Sequence, residues 1–294
     1  MNHLRSLHAA SLILALVFYI AAAVTSSAQT FSTLVTFTPP QGEFWPYAPF
    51  VQAIDGNFYG VTSGYEGSFF QMTPVGAATP LYSFACGEAV CSEGEVPNGL
   101  LVQGPDGNFY GTTQSGGINN PYCASGCGTV FKITPQGTLT SLYSFCSEPN
   151  CADGASPGAG LALGSDGNFY GTTELAGANA IEPSAVAGTI FKITPGGLLT
   201  TLYSFCAKAN CADGQGPQEA LVQGKNGDFY GTTSGNYGTI FKLTRSGVFT
   251  TLFSFSFSCN SESCPNGLGP NSALVEGAGG NFYGTTFTGG AGSS

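Results

Sequence analysis

Apolar and polar residues alternate plainly over Thr138-Leu139-Thr140-Ser141-Leu142-Tyr143-Ser144-Phe145. That is the pattern of a half-buried strand built from β-branched and aromatic side chains. Just upstream, Gly128-Thr129-Val130-Phe131-Lys132-Ile133-Thr134 alternates likewise, and Pro135-Gln136-Gly137 between them predicts a tight turn. Leu101-Val102-Gln103-Gly104 and Asn108-Phe109-Tyr110-Gly111-Thr112-Thr113 read as two further strands. They are joined by Pro105-Asp106-Gly107, and Asp-Gly between strands is among the strongest hairpin signals. In chain order the four strands, here called a, b, c and d, predict an antiparallel meander from Leu101 to Phe145. No helical periodicity follows the N-terminal segment.

The same meander returns along the chain. Asp106-Gly107-Asn108-Phe109-Tyr110-Gly111 recurs as Asp55 to Gly60 and as Asp166 to Gly171, and with drift as Asn226 to Gly231 and Gly279 to Gly284. The tyrosines of these copies, Tyr59, Tyr110, Tyr170, Tyr230 and Tyr283, are 51, 60, 60 and 53 residues apart. Strand c recurs at Gly188 to Thr194 and Gly238 to Thr244, and more loosely at Ser68 to Thr73. Strand d recurs at Leu198 to Phe205 and Val248 to Phe255, and more loosely at Thr79 to Phe84. Four-stranded units repeated about an axis are the blades of a β-propeller. The expected fold class is therefore all-β, a β-propeller of about five four-stranded antiparallel blades in one domain over 29–294. An open β-solenoid is the other option, but its rungs are shorter and lack the two hairpin turns. Phe31-Ser32-Thr33-Leu34-Val35-Thr36-Phe37 reads as a strand d with no a, b or c before it. The C-terminus supplies strands a (Ala273 to Val275) and b (Asn281 to Thr286) with no strand c behind them. The N-terminal strand is expected to complete this last blade, which is either short of a strand or part of a longer chain.

Strand parity separates the two faces of such a fold. The a–b and c–d turns share one face and are tight; the b–c and d–a loops share the other and hold every long insertion. That second face is acidic. Its loops carry Glu66, Glu88, Glu93, Glu95, Glu148, Asp153, Glu174, Glu182, Asp213, Glu219 and Glu262 against the single base Lys208. Ligands are expected there or along the axis. Two loops repeat Cys-Ala-Asp-Gly, which makes Asp153 and Asp213 candidate calcium ligands, since a hard cation wants carboxylates and carbonyls. The plainer reading is that Asp-Gly shapes the turn. The repeated phenylalanines Phe58, Phe109, Phe169, Phe229 and Phe282 are expected to pack between blades. For the tyrosine series two readings compete, interblade packing and stacking on sugars near an axis.

The N-terminus changes the compartment. Arg5 precedes the uncharged run Ala9 to Val24, and Ser26-Ser27-Ala28 offers small residues at a cleavage position. This predicts a signal peptide over 1–28, too short for a spanning helix and with no membrane span after it. Both histidines, His3 and His8, leave with it. The mature chain then has no Ser-His-Asp triad, no Cys-His pair and no His-ligated zinc. Losing Arg5 leaves 17 acidic against six basic residues. Such a surface does not suit nucleic acid or anionic lipid, both of which need clustered Lys and Arg. Ten cysteines form five local pairs: Cys86/Cys91, Cys146/Cys151, Cys206/Cys211 and Cys259/Cys264 share one spacing, and Cys123/Cys127 is the fifth. In an oxidising compartment these become disulfides. Loops this short gain about 2 kcal/mol per bridge in the chain-entropy account, so the bridges stiffen loops rather than hold the fold. Gly154-Ala155-Ser156-Pro157-Gly158 fits a nucleophile-elbow pattern by chance. It has no histidine partner, and Pro157 lacks the N–H an oxyanion hole requires.

The string from Leu101 to Phe145, with its D-G-N-F-Y-G-T-T and G-T-V-F-K-I-T-P parts, closely resembles the GloVer tandem repeat of secreted bacterial proteins. The resemblance covers nearly all of the mature chain in five copies. The first and last copies depart from it, the first with Val61 for the first Thr and Phe69-Phe70-Gln71 for the V-F-K run. Proteins of that family often carry a C-terminal surface-anchoring segment. None is recognisable here, which favours free secretion or a truncated chain. The resemblance implies no catalytic or binding residues. The strand rhythm is also similar to NHL-type propeller repeats, an analogy of fold alone. The expectation is a secreted or cell-surface/periplasmic, monomeric, non-catalytic binding or scaffold module, for a glycan, a cation or a protein. It needs no cofactor beyond calcium. A glycosidase or lyase working through two carboxyls about 5–9.5 Å apart is the alternative.

Overall fold

The computed structural model describes residues 33–35, 48–63, 67–85, 91–118, 120–255 and 264–290. The signal segment 1–28 lies outside them, as do Cys86, Cys259, Glu66, Glu88 and Glu262. Of the expected N-terminal strand only 33–35 are described, and they form no strand.

The repeats fold as predicted, into antiparallel sheets of sequential strands. Unit 1 comprises Val51–Gln52, Phe58–Val61, Ser68–Met72 and Ala78–Ser83. Unit 2 comprises Val102–Gln103, Phe109–Ser115, Thr129–Ile133 and Leu139–Ser144. Unit 3 comprises Ala162–Leu163, Phe169–Thr173, Thr189–Ile193 and Leu199–Ser204, and unit 4 comprises Val222–Gln223, Phe229–Thr233, Thr239–Leu243 and Phe249–Ser254. In unit 5, strands a and b pair as Val275–Glu276 with Phe282–Tyr283. Two short strands were not foreseen. Glu95–Pro97 extends the unit 2 sheet along the far end of strand b, and Leu268–Pro270 does the same with Thr286–Thr288. No sheet among the described residues closes on itself. No helix among them is long and apolar enough to cross a membrane.

The repeated letters have local causes. At the a–b turn Gly107 has φ +79°, a left-handed conformation that glycine adopts without strain. The Asp106 carboxylate accepts from the Asn108 backbone N–H, the Asn108 side chain and the Tyr110 hydroxyl, the last at 2.8 Å. The glycine of F-Y-G-T-T answers to a cross-strand neighbour. Gly111 faces Phe131 and Gly171 faces Phe191 in register. A Cβ on Gly171 would fall 2.5 Å from Phe191 Cζ, so the ring lies flat over bare backbone. All four complete units shift register between strands c and d at the same place, for example between Val130 and Phe131. Such a bulge increases the local twist.

The core runs between units. Tyr59 stacks on Phe109, Tyr110 on Phe169, Tyr170 on Phe229 and Tyr230 on Phe282, with centroids 4.4, 4.0, 3.9 and 4.0 Å apart. The tyrosine of one unit is thus the lid on the phenylalanine of the next, and packing, not sugar stacking, occupies Tyr59, Tyr110, Tyr170 and Tyr230, whereas Tyr283 is exposed. Prolines add a second contact on the loop side. Pro157 packs against the glycine before strand c of unit 2, and Pro217 does the same for unit 3.

Candidate functional site

Strand a lies at one edge of each sheet, and the segment entering it is short and poor in bulky side chains. Those entry segments meet. Ala48-Pro49, Asn98-Gly99-Leu100, Gly158-Ala159-Gly160, Gln218-Glu219-Ala220 and Asn271-Ser272-Ala273 line a single cavity of about 550 Å³. Each comes from the same register position of its own repeat. Gln114, near the end of strand b of unit 2, and Glu174, just past strand b of unit 3, complete the wall. The cavity therefore opens among the b–c and d–a loops, the face that strand parity marked out.

Small residues at the entry positions let backbones approach. A Cβ on Gly160 would fall 2.3 Å from the Leu100 carbonyl oxygen, so glycine is required where units 2 and 3 touch. The Thr112 hydroxyl crosses the same seam to donate to the Ala159 carbonyl at 2.8 Å. On the opposite wall Gln218 Nε2 donates to Glu174 Oε1 at 2.7 Å, joining units 4 and 3. The Glu219 carboxylate accepts the Ala273 backbone N–H, joining units 4 and 5. Burial pushes the Glu219 carboxyl above the usual carboxylate range, and that one hydrogen bond only partly opposes it. Among the described residues the lining contains two carboxyls and four side-chain amides, with no lysine, arginine or histidine. It can accept from hydroxyls and ammonium groups and donate through amides, and it repels anions. Glu174 and Glu219 belong to the predicted acidic face. Asn98, Gln114, Gln218 and Asn271 were missed, although the shared offset of Asn98, Gln218 and Asn271 ahead of strand a was a usable signal.

Asp153 and Asp213 lie elsewhere, in separate repeats, and both are wholly buried. Asp153 accepts from the Tyr143 hydroxyl at 2.8 Å and from the backbone N–H groups of Ser147 and Glu148. Asp213 accepts in the same way from Tyr203, Ala207 and Lys208. Each carboxylate thus takes two donors on Oδ2 and one on Oδ1, which is the arrangement of a loop organiser. Burial, then the hydrogen bond to the carboxylate, drives both Tyr143 and Tyr203 well above the usual phenol range.

Three of the local cysteine pairs are disulfides in the described residues: Cys123–Cys127, Cys146–Cys151 and Cys206–Cys211. Cys91 and Cys264 are also disulfide-bonded. Their expected partners, Cys86 and Cys259, fall outside the described residues.

The model of the Gloeobacter/Verrucomicrobia repeat matches residues 20–180 and 63–294. No curated protein matches the chain. Among solved structures, a protein provisionally described as a gluconolactonase shares 14% identity at a TM-score of 0.51, over 84% of this chain and 76% of its own. A protein of unknown function from Bacteroides caccae has 14% identity and a TM-score of 0.47, over 84% of this chain and 71% of its own. A luciferin-regenerating enzyme has 15% identity and a TM-score of 0.47, over 84% and 69%. At these identities the first likeness speaks to a gluconolactonase-like propeller fold and not to activity.

Proposed function

The chain belongs to the Gloeobacter/Verrucomicrobia repeat family, and on that premise we propose that it is a secreted five-bladed propeller that binds a small, hydroxyl-rich neutral ligand, such as a glycan end, without transforming it. One observation carries this reading. Equivalent segments of all five repeats line one cavity, and among the described residues that lining holds four amides, two carboxyls and no basic residue. Glycan hydroxyls pair well with such a mixed set of donors and acceptors, and a cavity of this size holds one or two sugar rings. Because Asp153 and Asp213 lie outside the cavity lining and each accepts three hydrogen bonds from its own loop, this reading assigns recognition no calcium.

The test is binding of oxidised residues 29–294 to a broad glycan array, first with calcium and then with EDTA. Saturable, EDTA-insensitive binding, lost in Glu219→Gln and Gln218→Ala, is the expected result. Absence of binding to any glycan would overturn it in favour of a protein partner or an envelope scaffold. A second reading has its own observation. Glu219, whose carboxyl burial pushes above the usual carboxylate range, shares the cavity with a second carboxyl, Glu174, and a raised carboxyl suits a general acid. Turnover of a glycoside or lactone panel, abolished by both Glu219→Gln and Glu174→Gln, would replace binding with catalysis.

A further inference from the structure

Away from the cavity wall, two disulfides of unit 2 lie against each other. Cys123–Cys127 closes the tip of the b–c loop, and Cys146–Cys151 closes the d–a loop that follows strand d. The Sγ atoms of Cys123 and Cys146 are 4.0 Å apart. Those of Cys123, Cys127 and Cys146 all lie within 4.8 Å of one another. Contacts that do not involve sulfur hold the loops in this approach. Asn120 Nδ2 donates to the Cys146 carbonyl at 3.5 Å, and the Ser156 N–H donates to the Cys127 carbonyl at 2.8 Å. Cys127, Cys146 and Cys151 are buried, whereas Cys123 is half-exposed. The next repeat supplies an internal comparison. Cys206–Cys211 has the same spacing and the same left-handed backbone, φ +60° and +50° against +60° and +53° at Cys146 and Cys151. Its neighbouring b–c loop, 174–187, contains no cysteine.

We propose that the unit 2 pair is a thiol–disulfide exchange site whose reactant is a low-molecular-weight thiol, RSH. The thiolate attacks the accessible Cys123 Sγ, forms an RS–Cys123 mixed disulfide and expels the Cys127 thiolate, which takes up a proton. A second thiolate attacks the R-group sulfur, giving RSSR and a Cys123 thiolate. That thiolate attacks Cys146 Sγ across the 4.0 Å gap. The Cys123–Cys146 bond forms, and the Cys151 thiolate leaves and is protonated. Two RSH are oxidised to RSSR, one protein disulfide is reduced, and the last step only moves a bridge. Its consequence is mechanical. A bridge within each loop becomes a bridge between the b–c and d–a loops, fastening two segments of the loop-rich face together under intermediate redox poise.

A variant and a wild-type titration test this separately. Cys127→Ser leaves Cys123 without its partner, so exchange needs no added thiol. On acid quench, alkylation and peptide mapping, the expected product is a Cys123–Cys146 cross-link with alkylated Cys151. An intact Cys146–Cys151 bridge with alkylated Cys123 would overturn the proposal. Should that variant fail to fold, the oxidised wild-type chain is equilibrated in graded reduced and oxidised glutathione and mapped in the same way. A Cys123–Cys146 peptide at intermediate poise, with Cys206–Cys211 passing from oxidised to reduced without any new linkage, supports the site. Simple independent reduction of every pair refutes it.

Discussion

The ring of Tyr110 stacks on that of Phe169 in the next repeat, centroids 4.0 Å apart and planes 26° from parallel, while its hydroxyl donates to Asp106 at 2.8 Å. One side chain thus fastens its own hairpin and caps its neighbour's core. Both rings are essentially inaccessible to solvent. Replacing Phe169 by Ala should cost about 3–5 kcal/mol, the range for a fully buried aromatic. Tyr110→Phe, which keeps the stack and drops one hydrogen bond to a charged group, should cost only about 1.5 kcal/mol. Guanidinium midpoints at constant slope measure both, and equal losses would deny the hierarchy of stack over hydroxyl.

The bare backbone beneath the strand c rings gives a second expectation. Gly171→Ala places a methyl 2.5 Å from Phe191 Cζ, and overpacking of this kind costs about 1–3 kcal/mol. Combining it with Phe191→Leu should recover part of the loss, because the clash is with the ring and not the backbone. A double-mutant cycle on thermal or chemical unfolding reads the coupling, and strict additivity would contradict it.

Alkaline stability should report the tyrosine clamps. Tyr170 is pushed up to about 12 by burial and by its hydrogen bond to the Asp166 carboxylate, against an ordinary 10.0. Its folded value is raised, so its contribution is fully present below pH 10 and is lost as pH rises toward 12. Tyr170→Phe should flatten the decline of the unfolding midpoint across that window. Asp166 behaves oppositely. Burial alone would raise it, but hydrogen bonds from Asn168 and Tyr170 hold it below its ordinary 3.8. Its contribution is present above that value and is lost as pH falls through the depressed one.

Asp153 offers a test of loop organisation. Its carboxylate is wholly buried and answers one phenol and two amides. Asp153→Ala strands those donors and should destabilise the chain by about 3 kcal/mol, as should Asp213→Ala, whereas EDTA should leave the unfolding midpoint of the wild-type chain unchanged. An EDTA-induced drop matching that of Asp153→Ala would restore the reading of Asp153 and Asp213 as cation ligands.

Much of the architecture was written locally. Thr138 to Phe145 alternates because one face of strand d is covered, and the strand runs Leu139–Ser144. Asp106-Gly107 is a hairpin because glycine takes the positive φ and aspartate accepts the amide two residues on. Cysteines four or five apart close on each other because a short loop keeps each the nearest partner along the chain. Long-range features were not legible in the same way. Nothing near Tyr110 names Phe169, 59 residues away. Nothing in Asn98, Gln218 or Asn271 announces a shared cavity, since each is an ordinary loop residue in its own repeat.

The sequence by itself therefore determined the repeat, its four strands, its turns and the local disulfide partners, because sterics, backbone hydrogen bonding and short loop closure act within one unit. The tertiary structure decided which face of each unit meets the next, that five strand-entry segments wall one cavity, and that two disulfides come within reach of each other. Those relationships depend on the angle and distance between successive sheets. They are set by the summed packing of Tyr on Phe and Pro on Gly across every seam, which no single repeat encodes.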